Sequence, residues 1–447
     1  MKFNKVWLLV ALTLSVLSGC KEREATIAKS DKEICLDWAK LSLEITKNTK
    51  GNSPTYASRC LGYLGLTMYE TLVHGSPGYI SMENQLNGLE NLPKPESDKI
   101  YDWMEVMNSG HAFMLKNLYI QTADSNVIKI DSLEALIFNS RKAMGSSEKT
   151  LNDSRKLGQE IATTIFDWAK TDKGHRAYLK NFDKSLENKS FPGCWKPPLY
   201  GQSFSRFPLH PHWGENRTFS KDNQNLPLPD FIPFDTIPGS PYYEQFMAVY
   251  HKKNELTDDD KKAAVWWGDD PDETYTPPGH SYFLATLALE QKDLSAIEMA
   301  RMYAELGMSL ADAFINCWKW KYHFFSERPN TFINEHVDVQ WESFWPDPPF
   351  PAFPSGHAIQ AAACATILSH ALGDSMHIVD ITHVGRKPDK LRNTPFTART
   401  YESFWDIARE TANSRFYGGI HTPQDNEVGL EQGQIIASNI YKLKWHE

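Results

Sequence analysis

The sequence predicts an all-α protein: helical bundles packed side by side, with an irregular Pro- and aromatic-rich wrap in the middle. Three observations predict it. Apolar residues recur at helical spacing through most of the chain, as at Ile34, Trp38, Leu41 and Leu43. No convincing run of alternating polar and apolar residues marks a strand. Ten prolines between 192 and 241 gather in one stretch and leave the helical ones intact. With 447 residues, 41% hydrophobic and 12% aromatic, the chain can bury a large core, which excludes disorder and a small disulfide scaffold.

The first residues read as processing signal. Lys2 and Lys5 precede an apolar run from Trp7 to Leu17, too short to span a bilayer. Leu17-Ser18-Gly19-Cys20 follows and resembles the lipobox of bacterial lipoproteins, which implies a signal peptide over 1–19, lipidation at Cys20 and export to the cell envelope. An ordinary signal peptide cut near the same place is the other reading. Residues 20–30 are a charged tether.

From 31 to 180 an N-terminal helical bundle is expected. Residues 31–75 read as helix, broken at Lys50-Gly51-Asn52-Ser53-Pro54, where Ser53 and Pro54 offer an N-cap and a first turn. Residues 100–145 give one or two further helices, and Leu151 to Trp168 another, with Ile161, Ile165 and Trp168 on one face. Residues 181–254 form the irregular connection. Trp195, Tyr200, Phe204, Phe207 and Trp213 make it too aromatic for a disordered linker. Residues 255–447 form the C-terminal bundle. Thr257 with Asp258-Asp259-Asp260 starts a helix, Ser295 to Phe324 is a long one, and 326–354 is loop. Ala358–Leu372, Tyr401–Phe416 and Gln424–Tyr441 complete the set.

Charge and cysteines narrow the function. Net charge is −9, and no basic stripe is present, so no nucleic-acid partner is expected. A local anion site remains compatible with that balance. Beyond Cys20 there are Cys35, Cys60, Cys194, Cys317 and Cys364, with no CxxC. No disulfide framework is indicated, though one bridge is possible, and Cys317 and Cys364 sit in apolar helical patterns as buried thiols.

Three segments carry chemistry. In the first, Lys321 and Arg328-Pro329 lie seven residues apart, about two helical turns, so both are expected to point the same way. In the second, Pro354-Ser355-Gly356-His357 opens an apolar helix; Ser355 is a natural N-cap, and Gly356 lets a ligand approach free backbone N–H groups. The third runs from Ser414-Arg415 through Gly418-Gly419 to His421 and Asp425. Together they supply three cations, a hydroxyl and backbone donors: a cage for a tetrahedral or trigonal oxyanion. His357 and His421 add acid, base or nucleophile. Asp425 either fixes the tautomer of His421 or serves as the N3 residue of a capping box begun by Thr422, and both readings stay open. Both histidines are read as exposed, so that replacing them costs little stability.

These KxxxxxxRP, PSGH and SRxxxxxHxxxD segments resemble the signature of the type 2 phosphatidic acid phosphatase and vanadium-dependent haloperoxidase superfamily. The resemblance implies that Lys321, Arg328, Ser355, Gly356 and Arg415 bind phosphate or vanadate oxygens. It makes His357 the acid/base group and His421 the axial vanadium ligand or the phosphoryl-accepting nucleophile. Pro348 to His357 is similar to the haloperoxidase form of the second motif, and Trp318 and Phe350 match aromatics on the halide side of chloroperoxidases. Less specific landmarks are Pro54–Arg59, Gly193–Trp195, Trp213-Gly214, Trp267–Asp269 and Pro277–His280. They extend the likeness to roughly 31–447 and suggest that Asp269 pairs with Arg415, while His280 is as readily structural.

The leading reading is a vanadate-bound haloperoxidase acting on peroxide and halide, without haem or flavin. A phosphomonoesterase needing no cofactor, with a phosphohistidine intermediate and a phosphate-ester substrate, is the alternative. An oxyanion-binding lipoprotein without turnover is the third. Membrane contact is expected through the lipid anchor alone, and the sequence leaves the oligomeric state open.

Overall fold

The computed structural model describes residues 28–186, 189–198, 201–202, 205–389 and 391–447. The signal segment 1–19, Cys20, most of the tether, Tyr200 and Phe204 lie outside the described residues. The first five helices are α1 (Asp31–Asn48), α2 (Pro54–Val73), α3 (Trp103–Leu118), α4 (Asp124–Ala143) and α5 (Glu148–Ala169). The middle holds α6 (Lys221–Gln224) and α7 (Pro241–Asn254). Then come α8 (Asp258–Trp266), α9 (Thr276–Glu290), α10 (Ala296–Phe324), α11 (Pro329–His336), α12 (Gly356–Leu372), α13 (Phe404–Tyr417) and α14 (Pro423–Tyr441). Among the described residues the fold is all-α, with one small hairpin.

Local chemistry starts the helices where the sequence placed them. Ser30 with Glu33, Thr257 with Asp260, Ser295 with Glu298 and Thr422 with Asp425 each close a capping box. Ser53 caps α2 with Pro54 in its first turn. The 29-residue α10 is the central rod, packed on α2, α12 and α14. One apolar core runs from Ile34 in α1 to Trp445 beyond α14. The buried carboxylate of Asp312 on α10 accepts from Phe219 N, Ser220 N and Asn223 Nδ2 at 2.7, 3.1 and 2.9 Å, which pins the central connection to the rod. Helix α14 sits directly on the start of α12. A Cβ on Gly433 would lie 2.2 Å from the carbonyl oxygen of Ile359, so only glycine permits that approach.

Three expectations need correction. The strand-free reading missed β1 (Ser375–Asp380) and β2 (Arg399–Ser403), an antiparallel pair. In β1 the burial alternates residue by residue, over a stretch too short to stand out in sequence. The irregular segment ends earlier than 254, because Ser240 caps α7 and Pro241 occupies its first turn. The loop 326–354 likewise contains α11, which opens at Pro329. In both places the proline starts a helix, since a first-turn residue needs no N–H donor. All five described cysteines are free and buried, so the possible bridge does not form. No described helix is long and apolar enough to cross a membrane.

Candidate functional site

Lys321 and Arg328 converge, though not along one helical face as expected. Phe325 adopts left-handed backbone (φ 51°), and α10 stops there. Arg328 is the N-cap of the next helix. Both side chains meet at the 350–354 loop. Lys321 Nζ donates to the carbonyls of Pro351, Ala352 and Pro354 at 3.0, 2.5 and 2.6 Å, which uses all three of its hydrogens. Arg328 donates to the carbonyls of Phe350, Pro351 and Ile420. Burial pulls Lys321 down to about 7 and Arg328 down to about 10, and neither makes an ion pair among the described residues.

Ser355 caps α12, its Oγ accepting from Ala358 N at 3.4 Å. The amides of Gly356 and His357 stand at the helix start, where intrahelical acceptors are lacking. A Cβ on Gly356 would meet no closer atom than Cζ3 of Trp318 at 3.7 Å. His357 is partly buried and hydrogen-bonds the backbone of Trp267, while its Nε2 is sealed from solvent and has no partner. Burial first, and then the charge of Arg415, holds this imidazole well below the usual histidine range.

Arg415 ends α13 with its guanidinium wholly buried. Nε donates to Ser414 Oγ at 3.1 Å, Nη2 to the Ala264 carbonyl at 2.6 Å, and Nη1 to nothing. Gly419, at φ 74°, turns the chain back so that His421 faces Arg328. His421 Nδ1 donates to Asp425 Oδ2 at 2.9 Å, and His421 Nε2 accepts from Arg328 Nη1 at 3.0 Å. The pair of bonds fixes one tautomer: the proton is on Nδ1, the lone pair on Nε2. Burial and the three cations keep His421 well below the usual histidine range, so it is neutral. Burial raises Asp425 to about 6, and it still carries charge at neutral pH. Both open readings of Asp425 hold, because the same carboxylate also accepts from Thr422 N at 3.0 Å in the capping box.

His421 is only 2% exposed, so the expectation of an exposed, freely replaceable histidine is corrected. The Asp269–Arg415 pairing is corrected too. Asp269 accepts from His280 Nδ1 at 2.8 Å and from His383 Nε2 at 3.0 Å. His280 bridges on to Asp380 Oδ2 at 2.9 Å, and Trp266 Nε1 donates to the same oxygen at 2.6 Å. This network braces the 266–269 turn, whose Trp267 carbonyl orients His357. Sequence reasoning reached Asp269 and His280 but missed Asp380 and His383, which follow from the unforeseen hairpin.

A cavity of about 560 Å³ opens over these groups. Gly356, His357, Arg415 and His421 form its floor, and Phe314, Trp318 and Phe350 one wall. Lys321, Arg328 and Ser355 are not among its lining residues. The donor set fits a tetrahedral oxyanion. Arg415 Nη1 and the helix-start amides are free, and Arg328 Nη1 is released once another atom takes the His421 lone pair. No carboxylate within ion-pair distance neutralises Arg328 or Arg415 among the described residues.

Fold and site thus define a helical enzyme whose cavity floor offers donors suited to an oxyanion. Comparisons agree. Residues 301–445 match the family model of the VCPO second helical-bundle domain. The crystal structure of the first bacterial vanadium-dependent iodoperoxidase superposes with a TM-score of 0.76 at 26% identity, covering 92% of this chain and 96% of that one. Holo- and apo-type structures of a bacterial vanadium-dependent chloroperoxidase share the fold at 15% identity. Their TM-scores are 0.62 and 0.64, covering 88% and 89% of this chain and 92% and 94% of theirs. No curated protein matches the chain. Residues 301–445 thus match the second helical-bundle domain, and the chain as a whole shares the fold of the bacterial vanadium haloperoxidases.

Proposed function

We propose that the protein is a vanadate-dependent haloperoxidase that oxidises halide with hydrogen peroxide. The cage alone serves phosphoryl transfer equally well. What favours halide oxidation is the likeness to the iodoperoxidase over 92% of the chain. When bound, vanadate would supply Lewis-acid activation of peroxide toward halide. His421 offers Nε2 as the ligand atom, held by Asp425 in the required tautomer. Arg415 Nη1, the amides of Gly356 and His357, and the released Arg328 Nη1 hold the oxyanion oxygens. His357 Nε2, buried without a partner, would hold and return the peroxide proton. Lys321 keeps the 350–354 loop in place while adding positive potential. Trp318 and Phe350 shield the halide side from water.

One titration tests this reading: protein lacking residues 1–20, loaded with vanadate, assayed for peroxide-dependent bromination of monochlorodimedone and for p-nitrophenyl phosphate hydrolysis. Vanadate switching on bromination supports it. Vanadate inhibiting a phosphatase activity, with no bromination, sinks it. We also propose export and anchoring through lipidated Cys20, which intact-mass analysis of the membrane fraction checks by the presence or absence of the acylated N-terminus.

A further inference from the structure

Among the charges around the Arg415 guanidinium, Asp269 acts on it most strongly. Both groups are buried, and buried opposite charges ordinarily pair. These two make neither a hydrogen bond nor an ion pair, and Arg415 Nη1 is left without a partner. Asp269, just after α8, is held from the other side. Its Oδ2 accepts from His280 Nδ1 on α9 at 2.8 Å, and its Oδ1 from His383 Nε2 beyond β1 at 3.0 Å.

His280 carries a full charge. Its Nε2 lies 2.9 Å from Asp380 Oδ2, so each ring nitrogen faces a carboxylate oxygen. Ionised carboxylates only accept, so both nitrogens donate and the ring is an imidazolium. Burial alone would lower its pKa, but Asp269 and Asp380 raise it to about 10. The Trp267 ring stacks on it, centroids 4.4 Å apart, as suits a cation. Asp380 is fixed in turn, its Oδ1 accepting from Thr382 N and Oγ1 at 2.9 and 2.6 Å. Asp269, His280 and His383 have the composition of a metal-ligand set, yet His280 has no lone pair left to coordinate. Burial keeps His383 below the usual histidine range, and its ring is wedged between Trp266 and Phe396, at centroid distances of 5.0 and 5.7 Å.

We propose that His280 and His383 are positioning residues that withhold Asp269 from Arg415 and so reserve Arg415 Nη1 for an oxyanion. His280 supplies the opposite charge that Asp269 would otherwise find in Arg415, and His383 occupies the remaining oxygen. The two histidines thus set anion affinity without touching the anion. Losing either one turns Asp269 from a bystander into a competitor for the guanidinium.

This inference rests on the reading of the cavity floor as an oxyanion site, and calorimetric titration with inorganic phosphate tests both. His383→Phe keeps an aromatic ring between Trp266 and Phe396 and strips Asp269 Oδ1 of its donor. Phosphate affinity is expected to fall by about tenfold, the size of one close charge coupling. Asp269→Asn in that background removes the competitor and is expected to restore it. Asp270→Asn there removes an equal charge that also acts on Arg415, and is expected not to. Unchanged affinity in His383→Phe, no recovery with Asp269→Asn, or equal recovery with Asp270→Asn overturns the proposal. Nitrogen-15 NMR of the histidine rings in the unsubstituted protein needs no variant to fold. One slowly exchanging ring protonated on both nitrogens is expected at about pH 8, where an ordinary histidine is neutral. Its absence overturns the proposal too. If the unsubstituted protein shows that imidazolium but binds neither phosphate nor vanadate, the oxyanion reading fails and takes the proposal with it.

Discussion

Arg59 and Arg415 are both buried, at 3% and 0% exposure, and each leaves its Nη1 without a partner. They differ in the counter-ion. Arg59 Nε lies 2.6 Å from Asp172 Oδ2, and the Tyr63 hydroxyl donates to the same oxygen at 2.8 Å. Burial alone would lower the Arg59 pKa, but Asp172 more than offsets it. Arg415 has a hydroxyl and a carbonyl for partners, and burial pulls it down to about 10. An orphan N–H is therefore no mark of a site. A buried cation with no carboxylate at ion-pair distance is one, because a bound anion recovers the cost of taking that charge out of water.

The largest effect tests whether the uncompensated side does the chemistry. His421→Ala removes the Nε2 ligand atom, and peroxide-dependent bromination is expected to fall by about a thousandfold or more. It also strips Asp425 and Arg328 of a partner, at a cost of about 1–3 kcal/mol in denaturant-monitored stability. Turnover within tenfold of the parent would remove His421 from the reaction.

The comparison itself is broken or upheld by two alanine variants. Arg59→Ala strands the buried Asp172 carboxylate and is expected to lose about 3–5 kcal/mol of stability while binding phosphate or vanadate normally. Arg415→Ala is expected to keep stability within about 1 kcal/mol and lose about 2–5 kcal/mol of anion affinity by titration calorimetry. If the two variants behave alike, the missing counter-ion does not distinguish a site from a brace.

The cage was legible in the sequence because its parts are local. Ser355-Gly356-His357 is one helix start, and His421 with Thr422 and Asp425 is another, so spacing alone places these side chains. The helices were legible for the same reason, through the cap at Ser53, the acidic start after Thr257 and apolar periodicity. What escaped depends on distant partners. Lys321 and Arg328 meet through carbonyls of 350–354 and not through helical phase, since Phe325 breaks the helix. Asp269 finds His383 across more than a hundred residues, through a hairpin too short to announce itself.

A smaller effect sharpens the contrast through pH. Folded His357 and His421 are held well below 6.5, so below that pH the unfolded chain binds protons that the folded one refuses. Their contribution to stability is present above pH 6.5 and is lost as pH falls through their depressed folded values. A phosphate held by its charge alone raises both values and restores what was lost. Buried Glu70, Glu105 and Asp312, each raised to about 7, titrate in the opposite sense but do not touch the anion. The difference between melting curves with and without phosphate cancels them. It should widen as pH drops from 7 toward 5 in Arg59→Ala as in the parent, and stay narrow in Arg415→Ala. A difference independent of pH would mean that the anion does not sense the histidines.

The smallest effect separates the two duties of Asp425. Thr422→Ala removes the Oγ that accepts Asp425 N at 3.4 Å and leaves the Asp425–His421 bond in place. Loss of a helix cap costs about 1 kcal/mol, and bromination should stay within about twofold. Asp425→Asn keeps the side chain's shape but replaces the acceptor facing Nδ1 with an amide that can present N–H there, which favours the wrong tautomer, so turnover should fall far more than stability does. If Thr422→Ala instead lowers turnover as much as Asp425→Asn, then the cap holds His421 in register. The carboxylate's bond to Nδ1 would then be a consequence of that position and not its cause.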